Sequence, residues 1–88
     1  MSVKYTRHYL NRLEDLFSES DYFLRYEKGT FKSGYCILQD KKIIVVNKYY
    51  PLEGKINCLV DIIRELNTEL NNLSDKNAKL LTEITQTV

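Results

Sequence analysis

The sequence predicts an α+β fold of order α-β-β-β-α: a short amphipathic helix, a three-stranded antiparallel meander, and a long C-terminal helix extending as a parallel coiled coil. Three observations predict it. Apolar residues in the first 19 positions recur at helical steps, short aromatic and β-branched runs follow to residue 50, and a four-three apolar alternation then persists to residue 84.

The first helix is expected over residues 3 to 19. Val3, Thr6, Tyr9, Leu10, Leu13, Leu16 and Phe17 make one stripe, Lys4, Arg7, Asn11, Arg12, Glu14 and Asp15 fall largely between them, and Ser2 is the expected N-cap. "SESD" interrupts the period. Residues 22 to 27 are short and aromatic and read as a strand. Lys28 and Gly29 supply a two-residue hairpin turn, with Gly29 taking the positive φ. A second strand over 31 to 39 is followed by "DKK" as a polar turn and by "IIVVN", the strongest strand signal in the chain.

Continuing the hairpin register places Tyr26 opposite Phe31, Tyr22 opposite Tyr35 and Gly34 opposite Phe23, while Leu38 meets Ile43 and Cys36 meets Val45. One face then carries Phe23, Cys36, Leu38, Ile43 and Val45. The other carries Tyr22, Leu24, Tyr26, Phe31, Tyr35, Ile37, Ile44, Val46 and Tyr50. The glycine-rich stretch "KGTFKSGYC" has a structural reading: a turn glycine, a Gly34 lying under an aromatic ring or a crossing helix, and a small buried thiol. Its chemical reading makes Gly34 a point where a ligand approaches the backbone, with Tyr35 stacking and Ser33 donating a hydrogen bond.

Pro51 ends the strand region, and Glu53 stands in the first turn of the following helix, where the dipole favours an anion. Read as heptads, the a positions are Ile56, Ile63, Leu70, Asn77 and Ile84, and the d positions are Leu52, Leu59, Leu66, Leu73, Leu80 and Thr87. This divides the chain into a small α/β domain, 1–66, and a helical coiled-coil extension, 67–88. Leu66, Leu70, Leu73, Asn77, Leu80 and Ile84 are the expected dimerisation residues, with Asn77 fixing register. The competing arrangement breaks the helix at "NNLSD", where Ser74 or Asp75 caps a third helix that folds back on its own domain.

The segments "RYEKGTFKSGYCIL", "IIVVNK" and "LEGKINCLVDII" resemble a family of small uncharacterised bacterial proteins with a glycine-rich Gly-x-Cys hairpin. The resemblance covers about residues 24 to 65. It implies the α-β-β-β-α fold and no activity.

Composition narrows function. With 88 residues the chain fits one small domain with little core, for which oligomerisation is a natural remedy. No apolar run is long enough to span a membrane, and "MSVKYTRHYL" lacks the apolar stretch of a signal peptide, so a cytoplasmic location is expected. Cys36 and Cys58 form no C-x-x-C and read as reduced, core-type thiols. His8 on the first helix has no announced catalytic partner, and Glu65 with Glu69 is a carboxylate pair lacking further metal ligands. No P-loop, G-x-S-x-G or Cys/His metal pattern occurs. The chain therefore reads as a non-enzyme without cofactor or metal: a small cytoplasmic homodimeric protein-interaction module. The alternative is an RNA- or single-stranded-DNA-binding dimer. It rests on cations interleaved with aromatic rings between residues 25 and 48, carried by Lys32, Tyr35 and Lys48.

Overall fold

The computed structural model describes residues 3–29 and 34–86. Ser2, Phe31, Lys32, Ser33 and Thr87 lie outside the described residues. Helix α1 (Arg7–Glu19) starts later than its apolar stripe suggests, because Thr6 rather than Ser2 is its cap: the Thr6 Oγ1 accepts the Tyr9 N–H at 3.1 Å. Before the helix, the Tyr5 hydroxyl donates to Asn57 Oδ1 at 2.7 Å. One α1 face buries Tyr9, Leu10, Leu13, Leu16 and Phe17, the stripe read from the sequence.

Three strands follow, β1 (Phe23–Glu27), β2 (Tyr35–Leu38) and β3 (Ile43–Asn47). Their order in the sheet is β1-β3-β2, with β3 parallel to β1 and antiparallel to β2. This corrects the antiparallel meander and the Lys28–Gly29 hairpin. The pairings of Tyr22 with Tyr35 and Gly34 with Phe23 do not form, since β3 stands between β1 and β2, and the pairing of Tyr26 with Phe31 lies outside the described residues. The physical reason lies in strand quality. A central strand must pair along both edges and bury apolar side chains, which suits "IIVVN" better than the aromatic β1 or the short, glycine-flanked β2.

Asn47, at the end of β3, bonds to the residues on either side of the β1–β2 connection. Its Nδ2 donates to the Gly29 carbonyl at 3.2 Å and its backbone N–H to the Gly34 carbonyl at 2.9 Å. The β2 to β3 register does match expectation: Cys36 faces Val45 and Leu38 faces Ile43. The "DKK" turn becomes a 3-10 turn over Gln39–Lys41 closed by Lys42 at φ 57°.

Helix α2 (Leu52–Glu65) begins directly after Pro51 with Glu53 in its first turn. It ends eight heptad-patterned positions before Leu73. A 3-10 turn spans Asn67–Glu69, Asn72 takes φ 62°, and helix α3 (Asp75–Gln86) turns back. The single helix from 52 to 84 is therefore corrected to two. Asn67, Asn71, Asn72 and Ser74 explain the break, because their short polar side chains bond locally and compete with helical hydrogen bonds. Ser74 caps α3, its Oγ accepting the Asn77 N–H at 3.4 Å.

Helix α1 packs on β1 and α2 on β3, and α3 packs against both helices. Ile44 and Val46 of β3 are fully buried beneath them, together with Leu13, Leu16, Ile56, Leu59, Ile62, Ile63, Leu66 and Ile84. Tyr50 closes the end of this layer between two glycines. A Cβ on Gly34 would enter the Tyr50 ring, 2.6 Å from its Cζ, and one on Gly54 would stand 2.8 Å from its Cδ2.

Gly34 carries a second constraint, a φ of +85° that L residues resist. Gly34→Ala is expected to destabilise the fold by about 1–3 kcal/mol. Gly54→Ala meets the same ring but gains roughly 0.5–1 kcal/mol of helix propensity, so its net cost is smaller. Urea unfolding of both variants checks the order; equal costs would remove the backbone contribution at Gly34.

Candidate functional site

Parity along the strands survives the change of topology, and with it both predicted faces. Leu24, Tyr26, Tyr35, Ile37, Ile44 and Val46 face the helices. Here the tyrosines lose their availability as stacking platforms. Tyr22 is buried and its hydroxyl donates to Glu69 Oε1 at 2.7 Å. The Tyr26 hydroxyl donates to Glu14 Oε2 at 2.5 Å, under the Lys55 ammonium. Buried phenols need partners, and carboxylates reaching over from the helices supply them.

These contacts shift the phenols. The hydrogen bond to Glu69, followed by burial, pushes Tyr22 up to about 12. Burial first, then the bond to Glu14, raises Tyr26 well beyond the usual tyrosine range. Burial also raises Tyr35, which is half-buried.

Of the residues expected to contact nucleic acid, Lys32 lies outside the described residues and Tyr35 faces the helical layer. Lys48 is exposed, its ammonium 5.2 Å from the Tyr49 ring centre. Tyr35 and Lys48 thus belong to different surroundings.

The opposite face of the sheet has no cover among the described residues. Phe23 is 63% exposed and Leu38 42%, with Cys36, Ile43 and Val45 half-buried between them. Arg25 and Glu27, alternating with Phe23 on β1, form an ion pair on this face. An apolar cluster spanning three strands is the feature of this molecule that calls for a partner.

The residues expected at a zipper seam sit elsewhere. Leu66, Leu70, Leu80 and Ile84 are buried in the chain's own core and Leu73 packs against it. Asn77, 1% exposed, donates from Nδ2 to Asp15 Oδ2 at 3.0 Å, where Lys76 also approaches at 3.5 Å. Next to it the Ser74 N–H donates to Glu19 Oε1 at 2.8 Å. Asp15, Glu19, Ser74 and Asn77 thus make a polar clasp between α1 and the start of α3. Asn77 is legible in the sequence as a polar residue within an apolar stripe, for which the heptad pattern implies a partner in a second chain. Asp15 and Glu19, a helical turn apart on α1, were the overlooked signal.

Chemistry for catalysis is sparse. His8 is exposed, Glu69 is engaged by Tyr22, and among the described residues no three His, Cys, Asp or Glu side chains gather closely enough to hold a metal ion. Cys58 is buried, which pushes its thiol up and away from the reactive thiolate. No helix of the described residues is long and apolar enough to cross a membrane. No protein-family model, curated protein or solved structure matches this chain.

Two titrations test this geometry. The hydrogen bonds from Asn77 to Asp15 and from Ser74 to Glu19 hold both carboxyls below their ordinary values of 3.8 and 4.5. A depressed carboxyl stabilises the fold fully above its unfolded value, and the contribution is lost as pH falls through the folded one. Melting temperature is expected to drop below about pH 4.5, and Asp15→Asn with Glu19→Gln should flatten that drop. An unchanged profile would remove the clasp. For Tyr22 and Tyr26 the sign is opposite: a raised folded value stabilises below the ordinary 10.0 and is lost as pH rises through the shifted value. Near-ultraviolet titration should show late-ionising tyrosines, one fewer of them in Tyr22→Phe while the Tyr26 phenol still ionises late. Ionisation of every phenol near pH 10 would contradict the Tyr22 contact.

Proposed function

We propose that this chain is a small protein-interaction module that self-associates into a homodimer through the open face of its sheet. The observation that carries this reading is the apolar cluster of Phe23, Cys36, Leu38, Ile43 and Val45, left without helical cover. A second copy fits it chemically. Around a two-fold axis the cluster meets its own image, and Arg25 of each copy can face Glu27 of the other, so the charged rim is self-complementary. The zipper seam contributes less to this reading, because detaching α3 would expose Leu80 and Ile84 at about 1.5–3 kcal/mol each. That is a large share of a small domain's stability.

Three strands of four or five residues make a small contact surface beside the roughly 800 Å² per partner of a standard interface. The dimer is therefore a concentration-dependent one. A cytoplasmic site of action accords with Cys36 and Cys58 forming no disulfide. Nucleic-acid binding has less support, since the tyrosines it requires face the helices.

Light scattering over a concentration series should show a monomer–dimer equilibrium, shifted to monomer by Val45→Lys at the centre of the face. Alkylation of Cys36 should slow as the dimer forms. A monomer at every concentration, or a dimer indifferent to Val45→Lys, would end this proposal.

A further inference from the structure

Among the described residues the outer edge of β1 faces no other strand. In a parallel pair, alternate residues turn their N–H and C=O groups to opposite sides. Phe23 donates its N–H to Lys42 O at 2.8 Å, and Glu27 accepts from the Lys48 N–H at 3.1 Å, so residues 23, 25 and 27 bond towards β3. Leu24 and Tyr26 consequently direct their backbone groups outward, where no described residue pairs with them. Tyr22, next on that side, is already closed by Ser20: its N–H donates to Ser20 Oγ at 3.1 Å.

Along this edge runs a groove of about 500 Å³ between α1 and β1. Phe17, Tyr22 and Leu24 make much of its apolar lining. Glu14 and Asp21 stand among them, and among the described residues no lysine or arginine lines it, the Lys42 and Lys55 ammonium groups lying 5.2 and 5.3 Å from the Tyr22 and Tyr26 ring centres. Glu14 uses Oε2 for the Tyr26 hydroxyl and keeps Oε1 for another donor. An unpaired strand edge beside two carboxylates and an apolar floor is a combination of main-chain and charge complementarity. It suits an extended chain bearing lysine or arginine.

We propose that the β1 edge captures a basic, extended peptide segment of a partner protein as an added strand. The segment's backbone bonds to Leu24 and Tyr26. Alternate side chains enter the groove, one a cation meeting Glu14 and Asp21 and the next, two residues along, apolar and resting on Phe17 and Leu24. This assignment rests on reading the chain as an interaction module, but not on self-association: the edge and the open face are separate surfaces, and Val45→Lys leaves the groove intact.

The test is panning a phage library of random linear peptides on the full chain and, in parallel, on the Val45→Lys variant. Enriched sequences should carry a basic and an apolar residue two positions apart and bind both proteins. A synthetic copy of an enriched peptide should protect the Leu24 and Tyr26 amides from hydrogen exchange and weaken by about tenfold against Asp21→Lys. N-methylation of the alternate peptide nitrogens that face β1 should abolish binding, and methylation of the other set should not. Absence of enrichment, an acidic or uncharged consensus, or binding that leaves those two amides unprotected would overturn the proposal. Self-association is read separately by light scattering, so a failed dimer and a failed groove give different results.

Discussion

The helical layer of this chain covers one face of a three-stranded sheet and leaves the other open, and most of its other features follow from that asymmetry. Strand side chains alternate between faces, so one set is drawn into a dry layer against α1 and α2 and the other stays at the boundary with water. On the covered side, tyrosines appear where aliphatic residues would pack as well, and their hydroxyls require acceptors from the helices. Glu14 and Glu69 supply these, from α1 and from the turn after α2. On the uncovered side the chain mixes Phe23 and Leu38 with an Arg25–Glu27 pair. Such a face is neither core nor ordinary surface.

Legibility from sequence divides along local and non-local lines. Helices α1 and α2, the β2–β3 register and the two faces follow from period and parity, which residues carry individually. The fold class α+β was legible too. Strand order was not, because whether residues 28 to 34 make a tight hairpin or a crossing depends on which strand wins the central place, a competition among β1, β2 and β3. Gly34 illustrates the same limit. Its need for an absent side chain was readable, yet the ring above it proved to be Tyr50, sixteen residues away, rather than Phe23.

The heptad pattern after residue 52 has two physical meanings, and local chemistry selects between them. Leucines at steps of three and four describe any helix with one buried stripe, whether it packs on a second chain or on its own domain. Four of the residues between 67 and 74 favour caps and turns over helical interiors, and folding back gives Asn77 a carboxylate partner in place of its twin. Asn77 was recognisable as exceptional; the direction in which it would be satisfied required the third dimension. For the open sheet face, the alternation of apolar residues was readable, while the absence of helical cover was not.

The insertion of β3 between strands that precede it sets an order of assembly during synthesis. A nascent chain grown as far as Lys41 contains both edge strands and no ladder, since β1 and β2 share no pairing. Helix α1 can meet neither a sheet nor α2 at that stage. The arrival of five residues, Ile43–Asn47, supplies hydrogen bonds to both waiting strands at once, and α2 emerges next to cover them. Sheet formation is thus gated by one late segment, and until the ribosome releases it the two edge strands are open to whatever other extended chains are nearby.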